Sequence, residues 1–295
     1  MLRIGYFVVF VLFAACGGTD DTADGPSEAS MSGSTDVSVI SLWEEGTPAF
    51  GIFVPSERDP GARDADGNRM PPLYTVEGAR MLADEPLLDY LFLNLEGSYD
   101  PEAVRILVAG LDAGTTDHRP TLLVRLPTIA DAGADATRTR VAEVLSLGAD
   151  GVVIPHVRSP EEARLAVEFF EEAGADVWSP ANPDGTIVAM LMVEDPGAIG
   201  SVEEIVAVPG YSMLSCGIGS LTGAMDGDRE GAEAACQNVR DVAAMAGMPS
   251  MMTANANSIA DRIEQGYLGL LLSGSVDEAA DVIRTGREIA GRPTM

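Results

Sequence analysis

The sequence predicts a single-domain (β/α)8 TIM barrel, and three observations support this fold class. Short apolar runs recur eight times, each with a length suited to a buried strand. Segments of helical periodicity separate them, and several begin at a capping residue and end at a glycine. Eight such pairs in roughly 250 residues are typical of a TIM barrel. A doubly wound open sheet is the main alternative.

The elements follow one another in a regular order. The predicted strands are residues 50–54, 90–95, 121–125, 151–154, 188–193, 211–216, 250–253 and 268–272. Four helices are predicted to begin with a side chain that caps the first turn, at Asp100, Ser159, Ser201 and Ser275. Four are predicted to end at a glycine, at Gly148, Gly174, Gly247 and Gly266.

The N-terminus has the pattern of an export signal. Arg3 precedes an apolar run that is shorter than the ~20 residues needed to span a bilayer. The run ends at Cys16 in a way that resembles the bacterial lipoprotein box, so residues 1–15 are predicted to be a lipoprotein-type signal peptide. That resemblance implies lipidation of Cys16 and a location on the periplasmic side of the outer membrane. The alternative is an ordinary cleaved signal with Cys16 unmodified.

Composition separates a linker from the folded domain. Residues 16–38 are rich in Gly, Ser, Thr, Asp and Ala, which predicts a flexible acidic linker. The barrel is predicted to occupy residues 39–295. Cys216 and Cys236 are expected to be inert buried thiols of the barrel, with a disulfide between them left open.

Charge excludes several classes of function. The chain has 46 acidic and 18 basic residues and a formal net charge of −28, which argues against nucleic acid or anionic lipid surfaces as partners. All the basic residues are arginines. Without lysine there is no Schiff-base aldolase, no lysine-bound pyridoxal phosphate and no P-loop for a nucleotide. An enolate would therefore be stabilised by a metal or by hydrogen bonds.

Polar residues follow the predicted strands where a TIM barrel places its active site. They are Glu96, Arg125, His156, Glu194, Ser220 and Asn255. A buried guanidinium at the end of a strand needs a carboxylate partner. That partner is either an acidic substrate or a glutamate of the protein, and the residues alone leave both interpretations open.

From about residue 41 to the C-terminus, the chain resembles the HpcH/HpaI aldolase and citrate lyase family. The resemblance depends on the order and spacing of several stretches, namely GTPAFGIF at 46–53, LLVR at 122–125, GADGVVIP at 148–155, SPEEAR at 159–164, VE at 193–194 and GIGSLT at 217–222.

The resemblance implies a site and its cofactor. Family members hold a divalent metal with a glutamate and an aspartate, and an arginine stabilises the enolate oxygen of an oxo-acid. By position, Glu194 would be the glutamate and Arg125 the arginine, which would act in both catalysis and substrate binding. Gly217, Gly219 and Ser220 would complete the substrate site. The resemblance also implies Mg or Mn as the metal and a homo-oligomer, commonly a hexamer.

The chain departs from the family at positions that the chemistry needs. Gly97 stands where the family has a histidine, and Ser146 and Ser220 stand where it has aspartates. A hydroxyl is a poor ligand for a hard divalent cation. The predicted metal site is nevertheless Glu194, Ser220 and Glu96, because Ser220 stands at a ligand position of the family. His156 is the predicted replacement for the lost base.

Two functions follow from this interpretation. The leading one is a divergent metal-dependent aldolase-like lyase that makes or breaks a carbon–carbon bond in a small 2-oxo acid with a pyruvate-like enolate. The alternative is a catalytically inactive barrel that serves as a periplasmic oxo-acid-binding or scaffold lipoprotein.

Overall fold

The computed structural model describes residues 38–59 and 61–294. The predicted signal peptide, the predicted lipidation site Cys16 and nearly all of the predicted linker lie outside these residues. Within the described part of the chain, no helix is both long enough and apolar enough to cross a membrane.

Eight parallel strands form a nearly closed barrel, which confirms the predicted fold class. The strands are β1 Ala49–Phe53, β2 Tyr90–Asn94, β3 Thr121–Arg125, β4 Gly151–Ile154, β5 Val188–Val193, β6 Met213–Cys216, β7 Met251–Thr253 and β8 Gly269–Leu272. They are hydrogen-bonded in the order β6-β5-β4-β3-β2-β1-β8-β7. Each overlaps one predicted apolar run, and the ends differ by two residues at most.

The first helix, α1 Val39–Glu44, precedes β1, and its buried residues belong to the apolar cluster inside the barrel. The other helices follow the strands and lie around the outside. They are α2 Val76–Ala83, α3 Pro101–Leu111, α4 Ile129–Ala132, α5 Ala134–Ser146, α6 Pro160–Glu172, α7 Pro196–Gly200, α8 Val202–Val206, α9 Ile218–Ala224, α10 Arg229–Met245, α11 Ile259–Glu264 and α12 Val276–Ile289.

The caps agree with the sequence at three of four helices. Asp100, Ser159 and Ser275 each accept a hydrogen bond from the first turn of the helix that follows. Ser201 precedes α8 as predicted, but its side chain makes no capping bond. Because α7 ends immediately before it, Ser201 has φ −115° and ψ 15°, not the extended backbone that places a capping oxygen over the next turn.

The barrel wall is buried on both faces, as parallel strands usually are. Inside the barrel, aromatic residues pack with methionines in one buried apolar cluster. Outside, the strands pack against the helices in a second, larger apolar layer.

Side-chain hydrogen bonds join β6 to β7, where the backbone ladder is interrupted. The Ser250 hydroxyl donates to the Leu214 carbonyl at 2.6 Å. The Met251 amide donates to Ser215 Oγ at 2.9 Å. These bonds hold the two edges of the sheet together and keep the ends of all eight strands around one mouth.

The expectation of free thiols at Cys216 and Cys236 is wrong. Cys216 is the last residue of β6 and Cys236 lies on α10, as the sequence predicts, but their sulfurs form a disulfide across a Cα–Cα distance of 5.3 Å. The barrel places α10 directly against β6, so two cysteines 20 residues apart in the sequence face each other.

Candidate active site

Four side chains from four neighbouring strands meet at the C-terminal mouth of the barrel. Arg125 is the last residue of β3, and Glu194 directly follows β5. Glu96 lies two residues beyond β2, and His156 lies two residues beyond β4. Because β2, β3, β4 and β5 are consecutive in the sheet, their ends lie side by side. We call these four residues the mouth cluster.

Arg125 binds both glutamates of the mouth cluster. Its Nη2 atom donates to Glu96 Oε1 at 2.9 Å and to Glu194 Oε2 at 2.8 Å. The ion pairs that the sequence offered as one interpretation are therefore present. Glu194 is 1% exposed, so its charge is balanced by the guanidinium and not by water.

Within the described residues, the Nε–H group of Arg125 is buried without a hydrogen-bond partner. An unsatisfied buried donor is rare and costs stability. Arg125 also lines the cavity at the barrel mouth. The Nε–H groups of Arg262 and Arg287 are buried in the same way, so this feature is not particular to the barrel mouth.

His156 lies against the same two carboxylates. Its Nε2 atom is 3.3 Å from Glu96 Oε1 and 3.3 Å from Glu194 Oε2. Its backbone N–H also donates to Glu194 Oε2, at 3.2 Å. His156 has a φ of 51°, a left-handed conformation that side chains other than glycine seldom adopt.

A cavity of about 180 Å³ opens beside the mouth cluster. Apolar side chains from the barrel interior form its floor, among them Phe92 and Met192. The predicted substrate residues Gly217, Gly219 and Ser220 line its rim together with Arg125 and Glu194. Polar groups at the rim and an apolar floor suit a small molecule that carries a charged end.

Gly217 makes the approach of this loop to Glu194 possible. A Cβ atom at this position would lie 1.8 Å from Glu194 Oε1. Any side chain there would displace the carboxylate.

Three of the candidate ligand atoms at the barrel mouth form a close group. Glu96, His156 and Glu194 each offer one ligand atom, and these atoms lie within 4.8 Å of one another. Ser220 is exposed in the first turn of α9, on the rim of the same cavity as Glu194. Its role as a ligand stays a prediction.

Other polar residues near the strand ends have local structural roles. Asp195 caps α7 through a hydrogen bond from the Ala198 amide. Asn255 accepts a hydrogen bond from the Asn257 amide in the turn after β7. Ser146 donates to the Glu143 carbonyl within α5.

Comparison with known proteins identifies the family. The family model for HpcH/HpaI aldolase/citrate lyase matches residues 86–269. The chain belongs to this family. The matched region extends from before β2 into β8 and contains the whole mouth cluster. A search of curated proteins found no match.

Solved structures share the fold at low sequence identity. The HpcH/HpaI aldolase from Desulfitobacterium hafniense DCB-2 is 21% identical, with a TM-score of 0.60 and coverage of 85% of this chain and 94% of that chain. An HpcH/HpaI aldolase/citrate lyase family protein from Burkholderia cenocepacia J2315 is 18% identical, with a TM-score of 0.62 and coverage of 85% and 97%. Citrate synthase SbnG is 16% identical, with a TM-score of 0.60 and coverage of 86% and 98%.

The donor atoms at the mouth fit a divalent metal. Members of this family typically depend on such a metal. Glu96 and Glu194 supply carboxylate oxygens, and His156 supplies an imidazole nitrogen. All three are common ligands of divalent metals in proteins.

The prediction that each of these residues follows a strand is correct. The sequence did not predict that His156 lies against both carboxylates. The signal was available in the strand order. β4 lies between β3 and β5 in a TIM barrel, so a side chain just beyond β4 is a neighbour of both Arg125 and Glu194.

Proposed function

We propose that the protein is a metal-dependent carbon–carbon lyase that acts on a small 2-oxo acid through a pyruvate-like enolate. The mouth cluster is the observation that carries the proposal. It sets a buried arginine and two glutamates beside a small cavity, at the end of the barrel where enzymes of this fold do their chemistry.

Arg125 is suited to stabilise the oxygen that becomes negative when an enolate forms. Two carboxylates hold its Nη2 atom, so the guanidinium has a fixed position and the free-energy cost of reorganising it during the reaction is small. Arg125 also lines the cavity in which this oxygen would lie.

A base must remove a proton from the carbon next to the carbonyl group. Two members of the mouth cluster reach solvent enough to do so, namely His156, with 32% of its side chain exposed, and Glu96, with 26%. A divalent cation held by the cluster would add positive charge that favours the enolate.

Exchange of the pyruvate methyl protons for deuterium tests enolate formation without knowledge of the second substrate. We expect NMR to detect exchange by the full-length protein with Mn²⁺ or Mg²⁺, and its loss with chelator. Arg125→Ala should abolish exchange. Arg164→Ala is the matched control, because Arg164 is exposed on α6 and, among the residues that the structure describes, pairs with Glu161 alone. Absence of exchange by a correctly folded protein under every condition would rule out a pyruvate-type lyase.

The catalytically inactive alternative is favoured by one observation. Ser220 and Gly97 supply neither the carboxylate nor the imidazole that family chemistry uses there. A periplasmic oxo-acid-binding or scaffold protein would show no exchange. If it binds oxo-acids, calorimetry should measure an affinity that chelator leaves unchanged.

Export and lipid anchoring at Cys16 are also proposed. Besides the sequence pattern, the Cys216–Cys236 disulfide supports a location outside the reducing cytoplasm. Mass spectrometry of the protein isolated from bacterial membranes should find a lipid on Cys16, and Cys16→Ser should release the protein from the membrane. Light scattering on the detergent-solubilised protein would test the proposed homo-oligomer.

A further inference from the structure

We infer that His156 is a metal ligand, and that Glu96, His156 and Glu194 form a mixed nitrogen and oxygen site that selects Mn²⁺, Co²⁺ or Zn²⁺ over Mg²⁺. This inference deepens the proposed function by naming the ligands and the class of metal. It also changes the role of His156, because a nitrogen that binds a metal has no lone pair left to accept a proton.

The spacing of the three ligand atoms carries the inference. His156 Nε2 is 3.3 Å from one oxygen of each glutamate, slightly longer than an ordinary N–H···O hydrogen bond. Ligands bound at about 2.1 Å are separated by about 3.0 Å at the edge of an octahedron and about 3.4 Å at the edge of a tetrahedron. The observed separation falls within this range.

The backbone at His156 helps to hold its ring against the two carboxylates. Within the described chain, His156 and Asp226 are the two residues other than glycine that have a positive φ. Such a conformation costs stability and persists where the surroundings hold it. Here the His156 N–H bond to Glu194 Oε2 contributes to holding it, and the result is an imidazole ring directed at both carboxylates.

The charges of the cluster leave room for a cation. Two glutamates face one guanidinium, so with a neutral imidazole the cluster carries one net negative charge. Arg125 donates to Glu96 Oε1 and Glu194 Oε2, which are the same oxygens that lie nearest His156 Nε2, and the His156 N–H donates to Glu194 Oε2 as well. A carboxylate offers about four lone-pair positions over its two oxygens, so each glutamate keeps positions for a metal beside these bonds.

The ligand types determine which metal is preferred. Mg²⁺ favours oxygen donors, whereas imidazole suits the first-row transition metals and zinc. An aspartate at position 220 would have favoured Mg²⁺, and the exposed Ser220 hydroxyl does not replace it. One imidazole and two carboxylates match the three-protein-ligand pattern of catalytic zinc sites and their relatives.

Cobalt(II) binding tests the inference without any need for activity. The full-length protein in detergent, carrying Cys16→Ser to remove a competing thiol, is titrated with Co²⁺ and followed by visible absorption and by the proton NMR of its imidazole N–H groups. The chain has only two histidines, so a paramagnetically shifted imidazole signal is readily assigned. We expect one shifted imidazole, an affinity for Co²⁺ at least about tenfold above that for Mg²⁺, and loss of both in His156→Ala.

His118→Ala is the matched control, because His118 bonds to the Leu88 carbonyl at the opposite end of the barrel. It should leave Co²⁺ binding unchanged. If His156→Ala fails to fold, the shifted signal in the parent protein decides the question. Absence of a shifted imidazole signal, or unchanged Co²⁺ affinity in a folded His156→Ala, would overturn the inference.

The same variants separate this inference from the proposed function. If the protein binds Co²⁺ through His156 but does not exchange pyruvate protons, the inferred metal site stands and the proposed lyase activity fails. If His156→Ala abolishes exchange but leaves metal affinity unchanged, the proposed lyase activity stands and the inference fails. His156 would then be the base and not a metal ligand.

Discussion

Gly217 shows how one missing side chain shapes the site. Its φ of −83° is open to any residue, so the backbone conformation does not explain the glycine. The explanation is space, because Glu194 Oε1 occupies the position that a Cβ would take. A buried carboxylate and the rim of the cavity can therefore touch only when residue 217 has no side chain.

We predict that Gly217→Ala displaces the Glu194 carboxylate and lowers both Co²⁺ affinity and pyruvate proton exchange by at least about tenfold. The protein should still fold, since alanine suits the backbone. Gly223→Ala is the control, because Gly223 lies further along α9, away from the cavity lining, and nothing lies within 4 Å of a Cβ at that position. Equal behaviour of the two variants in metal titration would contradict the prediction.

At the scale of elements, a buried ion network fastens the C-terminal helix to the base of the barrel. Asp89, just before β2, accepts hydrogen bonds from Arg287 at 3.0 Å and from Arg292 at 2.7 Å. It also accepts the amide of Phe50 in β1 at 2.7 Å. Burial lowers the pKa of Arg287, and the charge of Asp89 opposes that shift. One carboxylate thus connects β1, β2 and α12.

Asp89→Asn should destabilise the protein by about 3–5 kcal/mol, because it leaves two guanidinium groups without their counter-charge, and Arg287 is buried. Denaturant unfolding followed by circular dichroism would measure the loss. Asp281→Asn serves as the control, since Asp281 is on the solvent side of α12 with 94% of its side chain exposed. A loss below about 1 kcal/mol for Asp89→Asn would show that the network contributes little.

The disulfide connects the site strand β6 to α10. Closing a loop of 20 residues restricts the unfolded chain by about 3 kcal/mol. The double variant Cys216→Ala, Cys236→Ala should therefore unfold roughly 5–10 °C below the parent protein. Thiol titration of the unreduced, denatured Cys16→Ser protein should find no free thiol. Two reactive thiols in that titration would contradict the disulfide.

For the whole molecule, the dominant physical property is charge. A formal net charge of −28 on 295 residues makes the compact state repel itself, and dissolved ions screen that repulsion. Many arginines already pair with neighbouring carboxylates, but acidic residues outnumber them by 46 to 18.

We therefore expect the midpoint of thermal unfolding to rise by several degrees between ~0.05 and ~1 M NaCl, at fixed pH. Scanning calorimetry would measure it, with sucrose at matched osmolality as the uncharged control. A midpoint that falls with salt would mean that ion pairs, which salt weakens, contribute more than the overall repulsion costs.

The strand pattern was readable from the sequence because buried parallel strands are continuous apolar runs. Residues 121–125, 151–154 and 188–193 are strands with the predicted bounds. Eight strands then predicted a barrel, and a barrel predicted that Arg125 and Glu194 lie at its C-terminal end. Ser201 was misjudged, since whether a serine caps a helix depends on its backbone angles and not on its identity.

The sequence by itself therefore determined the fold, the family resemblance, the acidic character and the strand-end residues, because periodicity, charge and motif order are properties of the chain alone. Only the tertiary structure decided which of those residues touch. It placed His156 within 3.3 Å of two glutamates and joined β6 to α10 by a disulfide. It also showed that residue 217 must be glycine because the Glu194 carboxylate occupies the space of a side chain there. These are distances between segments far apart in the chain, and strand packing fixes them.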